Sequence, residues 1–354
     1  MICHGAGPME RVRPVDGLRC LVTGSAGFVG SNLVRALLAR GCEVHGFDKA
    51  PAVFEDPKLR WFRGDIRDAA ALAEACEGVD TIFHTAAMIE TLTYSPKPFA
   101  ELVRSVNIEG TRAVLQASRG AGVRRLVHTS SIITASGDQH RGSNETVPYS
   151  TASDLYSSTK VASEQLALAA NGESGLLSSA IRPGGIYGPG ERSTLVGPLM
   201  KALKRGAPLV LFGDGGTRMD YTYIDNLVDA QIRAAERLVE GSPVCGQAYI
   251  ITDGDPINTG KFSETLVKDM GLDVRTIRIP GPVARALATA GERVFQVFGK
   301  PKPPVSIVEV ELCVRDSHFS IDKAKQDLGY QPIVDTREGL RRTAIDAREY
   351  YDGL

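Results

Sequence analysis

Tyr156 and Lys160 stand four residues apart in Asp154-Leu155-Tyr156-Ser157-Ser158-Thr159-Lys160, a spacing that on a helix stacks the ammonium beside the phenol. A free phenol titrates near about 10, so it keeps its proton at neutral pH unless a neighbouring positive charge favours the phenolate. Lys160 is placed to supply that charge, and the pair can then act as a base toward an alcohol. The same spacing also occurs on ordinary solvated helix faces. Its meaning therefore depends on what the rest of the chain places around it.

A second candidate site begins at Thr23, where Thr-Gly-Ser-Ala-Gly-Phe-Val-Gly puts glycines at 24, 27 and 30. An apolar run (Cys20, Leu21, Val22) precedes it, and a helical pattern with Leu33, Val34, Leu37 and Leu38 on one side follows. In a strand, turn and helix of this kind, Gly24 takes the tight turn and Gly27 lets a pyrophosphate approach the backbone. Gly30 lets the helix pack close to the sheet, while Ala26, Phe28 and Val29 surround a helix N-terminus whose free N–H groups attract an anion. Asp48 follows Gly30 by eighteen residues and ends the second strand. A carboxylate there accepts the ribose hydroxyls of an adenosine and repels a 2′-phosphate, which favours NAD over NADP, with Lys49 beside it softening the preference. Asp65 and Ile66 suit an adenine amino group and ring face, and Asp65 can also cap a helix.

The elements that must hold these residues follow from periodicity. Glu43 to Phe47, Leu59 to Phe62, Thr81 to His84, Arg125 to Thr129 and Leu177 to Ile181 read as buried strands. Between them lie helical segments such as Ala69 to Cys76 and the Tyr156 helix, which runs to about Asn171 and stops at Gly172. Strands alternating with helices predict an α/β fold: a doubly wound parallel (Rossmann) sheet, with a smaller, less regular C-terminal lobe where Pro and Gly cluster. The division expected is a flexible tail over 1–17, an NAD-binding domain over 18–185 with about 220–252, and a substrate lobe over 186–219 with about 253–354.

With 354 residues the chain can bury a substantial core. A net charge of −1 gives no global field toward nucleic acid. Cys3, Cys20, Cys42, Cys76, Cys245 and Cys313 lack CxxC spacing, which points to a reducing, cytoplasmic setting. No stretch is apolar enough to read as a signal peptide or a membrane span, and no His/Cys/Asp/Glu grouping has metal-ligand spacing.

In order, these features resemble the extended short-chain dehydrogenase/reductase family, from about Arg19 to the C-terminal helix. Thr23 to Gly30 resembles its TGxxGxxG loop, Asp65-Ile66 its adenine pair, and His84-Thr85-Ala86-Ala87 the segment bracing the cofactor. Asn107 to Thr111 resembles its N-x-x-G-T helix, Thr129-Ser130-Ser131 its catalytic serine strand, and Phe319 to Pro332 its C-terminal signature. Within that family the wording of Phe83 to Ala87, His128 to Ile132, Arg182 to Gly188 and Gly246 to Tyr249 is similar to 3β-hydroxysteroid dehydrogenases, particularly those of bacteria that oxidise cholesterol-type sterols.

The resemblance implies NAD as cofactor and a catalytic set of Ser131, Tyr156, Lys160 and Asn107. Tyr156 would take the alcohol proton, Lys160 would lower its pKa and hold the nicotinamide ribose, and Ser131 would hydrogen-bond the oxygen as it becomes a carbonyl. Asn107 would link Lys160 to a proton path through water; the plain alternative is that it satisfies backbone. Ser130, on the opposite strand face, reads as structural. Gly110 inside a helix costs roughly 1 kcal/mol against Ala, which predicts close approach of another backbone. Thr85, Ala86, Ala87, Pro183, Gly185 and Ile186 should contact cofactor, and Ser131, Ile133, Tyr187 and Met219 substrate. His140 and Tyr149 read as loop residues, with substrate contact the alternative.

The enzyme alternative is a nucleotide-sugar epimerase or dehydratase. Such relatives commonly carry Asn where this chain has Gly185, and an Arg where it has Met219, with Arg218 one residue early. Both departures remove polar contacts and suit an apolar substrate. A sterol-4-carboxylate dehydrogenase and an NAD-binding regulator are further alternatives, and a double-bond isomerisation step would need an acid/base group that the sequence does not single out. Val283, Leu287, Val294, Phe295 and Phe298 recur at helical spacing; that helix would pack on its own lobe, gate a sterol pocket or rest on a membrane surface as a peripheral contact. A homodimer is expected by resemblance.

Overall fold

The computed structural model describes residues 12–92, 95–135, 139–151, 154–300 and 303–354. Seven strands form one parallel sheet: β1 (Arg19–Thr23), β2 (Glu43–Asp48), β3 (Leu59–Arg63), β4 (Thr81–His84), β5 (Arg125–Thr129), then, after a short strand β6 (His140–Ser143) outside it, β7 (Leu177–Pro183) and, beyond three more such strands, β11 (Ala248–Ile251). Those three are β8 (Gly185–Tyr187), β9 (Leu209–Phe212) and β10 (Tyr221–Tyr223), and β12 (Thr276–Ile279) and β13 (Ser317–Phe319) come last. The sheet order is β11-β7-β5-β4-β1-β2-β3, so the winding reverses between β1 and β4 and opens a crevice at their carboxyl ends.

The central strands are the buried ones, as in a sheet covered on both faces by helices: β1, β4 and β5 are buried almost end to end, while the edge strand β3 exposes Arg60 and Arg63. The seventh strand, β11, joins the sheet beside β7 from a distance in sequence that periodicity does not bridge. The remaining strands pair two by two, β8 with β10, β9 with β12 and β6 with β13, each in parallel. The last pair ties the segment between Ser131 and Tyr156 to the C-terminal part of the chain.

Two expectations change here. Of the predicted tail, residues 1–11, with Cys3, lie outside the described residues. Residues 12–17 are mostly exposed but anchored: Val15 is 0 % exposed, and Arg13 donates from its backbone to Glu236 O at 2.8 Å. Gly110 meets a side chain and not a backbone, since a Cβ there would lie 2.5 Å from Ile66 Cγ1.

Candidate active site

The phosphate loop is shaped by what cannot fit in it. Gly24 has φ +73°, and a Cβ on it would lie 2.8 Å from the Ala86 backbone; at Gly30 a Cβ would lie 2.1 Å from Gly24 O. Side chains at either position would push loop, strand and helix apart. Helix Phe28–Ala39, with Val29 in its first turn, starts at Gly27 without a side-chain cap, which leaves its first-turn N–H groups without a side-chain partner. Asp48 Oδ2 accepts the Ala26 N–H at 3.0 Å and Oδ1 that of Ala50 at 3.0 Å, which holds the carboxylate against the loop.

A cleft of about 240 Å³ runs from Gly24 and Gly27 past Asp48 to Ile66, Thr85 and Ala87. Its donors, apolar wall and carboxylate fit the adenosine half of a dinucleotide. Lys49 Nζ sits 2.8 Å from Asp65 Oδ2, and Arg67 also pairs with Asp65. The Arg67 guanidinium, with Lys49, holds the Asp65 carboxyl far below the usual range. The charge of Lys49 is thus committed to Asp65, and the helix that Asp65 was expected to cap is capped by Asp68 instead.

A buried polar chain runs beneath the crevice. Thr111 Oγ1 donates to Asn107 O at 2.7 Å, so its contact with His84 Nε2 at 3.0 Å is one in which the imidazole donates. His84 Nδ1 then accepts from Thr23 Oγ1 at 2.7 Å. Burial, aided by Lys160, pushes His84 down to about 3 and His128 well below its usual value, so both stay neutral. Asn107 lies in a π-helical turn, Ser105–Glu109, that interrupts a longer helix, a feature common at functional sites. Its Oδ1 accepts Met88 N at 2.7 Å, while Nδ2 donates to Met88 O at 2.9 Å and Thr159 Oγ1 at 3.0 Å. Asn107 therefore satisfies the Met88 backbone and fastens the post-β4 loop to the Tyr156 helix through Thr159.

Helix Leu155–Ala169 carries Tyr156 and Lys160 and is capped by Asp154, whose side chain accepts Ser157 N. Lys160 Nζ donates to Thr129 O at 2.5 Å, at the end of β5, two residues before Ser131. Burial pushes Lys160 down to about 8. Tyr156 is pushed up to about 12, chiefly by burial, with Asp154 adding and a hydrogen bond to Ser131 opposing. In this arrangement the ammonium donates to the Thr129 carbonyl, and the Ser131 hydrogen bond favours the phenolate. Ser130 donates its N–H to Ile181 O and is buried, as a strand-locking residue should be.

On the substrate side, Pro183 ends β7, and Gly185 and Ile186 begin β8 beside it. A Cβ on Gly185 would lie 3.0 Å from Tyr221 Cδ1 and 3.1 Å from Met219 Cε, so Met219 and the Tyr221 ring occupy the space that an Asn would need. Arg218 is exposed, and its backbone N–H is bound to Asp316 Oδ1. Ile133 is buried in the short helix after Ser131. Tyr187 is corrected outright: it is 0 % exposed, its hydroxyl donates to Asp253 Oδ2 at 2.8 Å, and Tyr221, Tyr223 and Phe262 surround its ring, making it core. His140 is also no loop residue. It lies in β6, buried against Phe319 with ring centroids 4.7 Å apart, because β13 supplies a pairing partner from far along the chain. Tyr149 donates to the buried Glu164, a partner that charge at a core-facing helix position could have signalled.

Among the described residues no His, Cys, Asp or Glu group could hold a metal ion. A glycine loop at the switch point of a parallel sheet, a carboxylate-ended second strand and the Tyr156/Lys160 helix define the class, an extended short-chain dehydrogenase/reductase. More narrowly, residues 21–280 match the 3-beta hydroxysteroid dehydrogenase/isomerase family, and the chain belongs to it. It is 42 % identical to the 3 beta-hydroxysteroid dehydrogenase/Delta 5-->4-isomerase of Mycobacterium tuberculosis, over 91 % of this chain and 88 % of that one. To the 3-beta-hydroxysteroid dehydrogenase of Mycolicibacterium neoaurum it is 39 % identical, over 95 % and 92 %. Among solved structures, MoeE5 in complex with UDP-glucuronic acid and NAD is similar at a TM-score of 0.75 and 27 % identity, covering 94 % of this chain and 99 % of that one.

Proposed function

We propose that the chain oxidises the 3β-hydroxyl of a steroid or sterol to the ketone with NAD, in the cytoplasm. Tyr156 takes the hydroxyl proton, Ser131 hydrogen-bonds the same oxygen, and Lys160 and Asn107 position the base through Thr129 and Thr159. NAD, when bound, supplies the nicotinamide ring that accepts the hydride. Asp48 beside the loop, and Lys49 tied to Asp65, support NAD over its phosphorylated form. The observation that carries the substrate class is Gly185, closed over by Met219 and Tyr221 where a sugar-nucleotide enzyme would need a polar clamp.

The test incubates purified protein with NAD and, separately, a 3β-hydroxysterol, a 4-carboxysterol and UDP-sugars. NADH formation with the sterol is the expected result; the ultraviolet band of a conjugated enone would add isomerisation. Conversion of a UDP-sugar with no sterol turnover would overturn the reading.

Delivery of so insoluble a substrate finds support in helix Gly281–Phe298. Ala284, Ala288 and Phe295 face inward, the first two onto Val310, while Val283, Leu287, Val294, Val297 and Phe298 are between 45 % and 75 % exposed. Glu292 on this helix is buried and Arg293 exposed, which favours an anionic lipid surface. We propose peripheral membrane contact there; among the described residues no helix is long and apolar enough to cross a membrane. Leu287→Glu with Phe298→Glu should abolish co-flotation with anionic vesicles. A dimer that dissociates in that variant, with no vesicle binding by the parent, would reassign the face to a second copy of the chain.

A further inference from the structure

One turn beyond Lys160 lies a buried ion pair that the oxidation chemistry does not itself use. Glu164 is 0 % exposed, and its carboxylate accepts Arg182 Nε at 2.9 and 3.2 Å, Arg182 Nη2 at 2.5 Å and the Tyr149 hydroxyl at 2.8 Å. The three residues come from three segments: the catalytic helix, the end of β7 just before the Pro183–Gly185 turn, and the stretch between Ser131 and Tyr156. The Arg182 guanidinium also lies 5.3 Å from the centroid of the Tyr149 ring. Apolar residues of similar volume hold such a junction without the desolvation cost of two buried ions, so stability is a weak reason for the pair.

Its position suggests another. At i and i+4, Lys160 and Glu164 share one helix face. The groups around Lys160 are the Thr129 carbonyl and neutral His128 on β5, neutral His84 on β4, and Tyr156 and Glu164 on its own helix, with Asp154 at the helix start. Arg182 and Tyr149 stand behind Glu164, on β7 and on the preceding segment. We infer that Glu164 is a positioning residue for the proton chemistry: it locks the catalytic helix to β7 and to the Tyr149 segment, and its charge keeps the buried Lys160 as an ammonium. Burial alone works to strip the Lys160 proton, and Glu164 is the group that opposes it. The inference rests on the reading that Tyr156 and Lys160 carry the oxidation.

The test is the pH profile of kcat/KM for sterol oxidation in Glu164→Gln, Glu164→Asp and the double variant Glu164→Gln/Arg182→Gln, with Tyr156→Phe alongside. Glu164→Gln should move the alkaline limb down by about one pH unit, so that activity above it falls about tenfold, while activity at the optimum changes less. Glu164→Asp should restore the limb. The double variant leaves no buried charge alone, so it serves if Glu164→Gln does not fold, and its limb should move down by less, because the Arg182 charge that partly offsets Glu164 is lost with it. An equal loss at every pH, with the limb unmoved in whichever variant folds, overturns the inference. Wild-type turnover by Tyr156→Phe would instead overturn the reading beneath it.

Discussion

Substituting Gly110 by Ala tests whether the adenosine wall is built as described. A methyl at this position would lie 2.5 Å from Ile66 Cγ1 and 2.7 Å from Cδ1, while Ile66 Cβ would stay at 3.8 Å. Carbon atoms settle at about 3.5–4.0 Å, so the Ile66 side chain must move by roughly 1 Å or rotate out of the cleft it lines. Ala gains about 1 kcal/mol over Gly in a helix. Overpacking costs about 1–3 kcal/mol, so the net effect on thermal stability should stay within about 2 kcal/mol. The cofactor feels the displacement more. Losing about 1–2 kcal/mol of apolar contact raises the Kd for NAD roughly 5- to 30-fold. Isothermal titration of NAD into wild type, Gly110→Ala, Ile66→Ala and the double variant gives the coupling. With Ile66 cut back, the added methyl displaces nothing, and the double variant should bind NAD as Ile66→Ala does. Unchanged binding by Gly110→Ala, or full additivity of the two losses, would refute the reasoning.

Three further outcomes are expected. Tyr156→Phe should lower kcat by about 10²–10⁴ and leave the NAD Kd within about twofold, as calorimetry beside steady-state kinetics can show. Gly185→Asn should destabilise the fold by about 1–3 kcal/mol against Tyr221 and Met219, and gain no UDP-sugar turnover in a coupled assay. Asp220 is 1 % exposed, its Oδ1 has no hydrogen-bond partner among the described residues, and burial pushes its carboxyl up to about 7. The folded value lies above the unfolded one near about 3.9, so stability is fullest below that and is lost as pH rises through about 7. Asp220→Asn, which can still accept the Phe319 N–H, should therefore raise Tm relative to wild type at pH 8 and not at pH 4; the same increment at both would sink the argument.

Much of the cofactor half was legible because its determinants are local. Glycines at 24, 27 and 30 and the apolar runs of β1, β2 and β4 each act within a few residues, and Arg125–Thr129 and Thr81–His84 fall where periodicity placed them. What was not legible depends on residues far apart in sequence. His140 looked like a loop residue because its partner strand lies at Ser317–Phe319, and Tyr187 looked like a substrate contact because its partner Asp253 is 66 residues on. Lys160 also donates to the Thr129 carbonyl, a contact that helix spacing cannot foresee. The exposed apolar face of Gly281–Phe298 shows the converse: the spacing was plain, and only packing reveals that the small residues point inward.

The pairing of β6 with β13 also sets an order of assembly. During synthesis the glycine loop, the sheet through β7 and the Tyr156 helix leave the ribosome well before Ser317–Phe319 does. Until then the stretch that joins Ser131 to Tyr156 has no strand to lie against, and Gln139 and Arg141 have no Asp316 to bind. A nascent chain can thus bring together its cofactor loop and its base early, yet pair β6 only when Ser317–Phe319, close to its end, emerges, a separation that makes such non-local contacts form late.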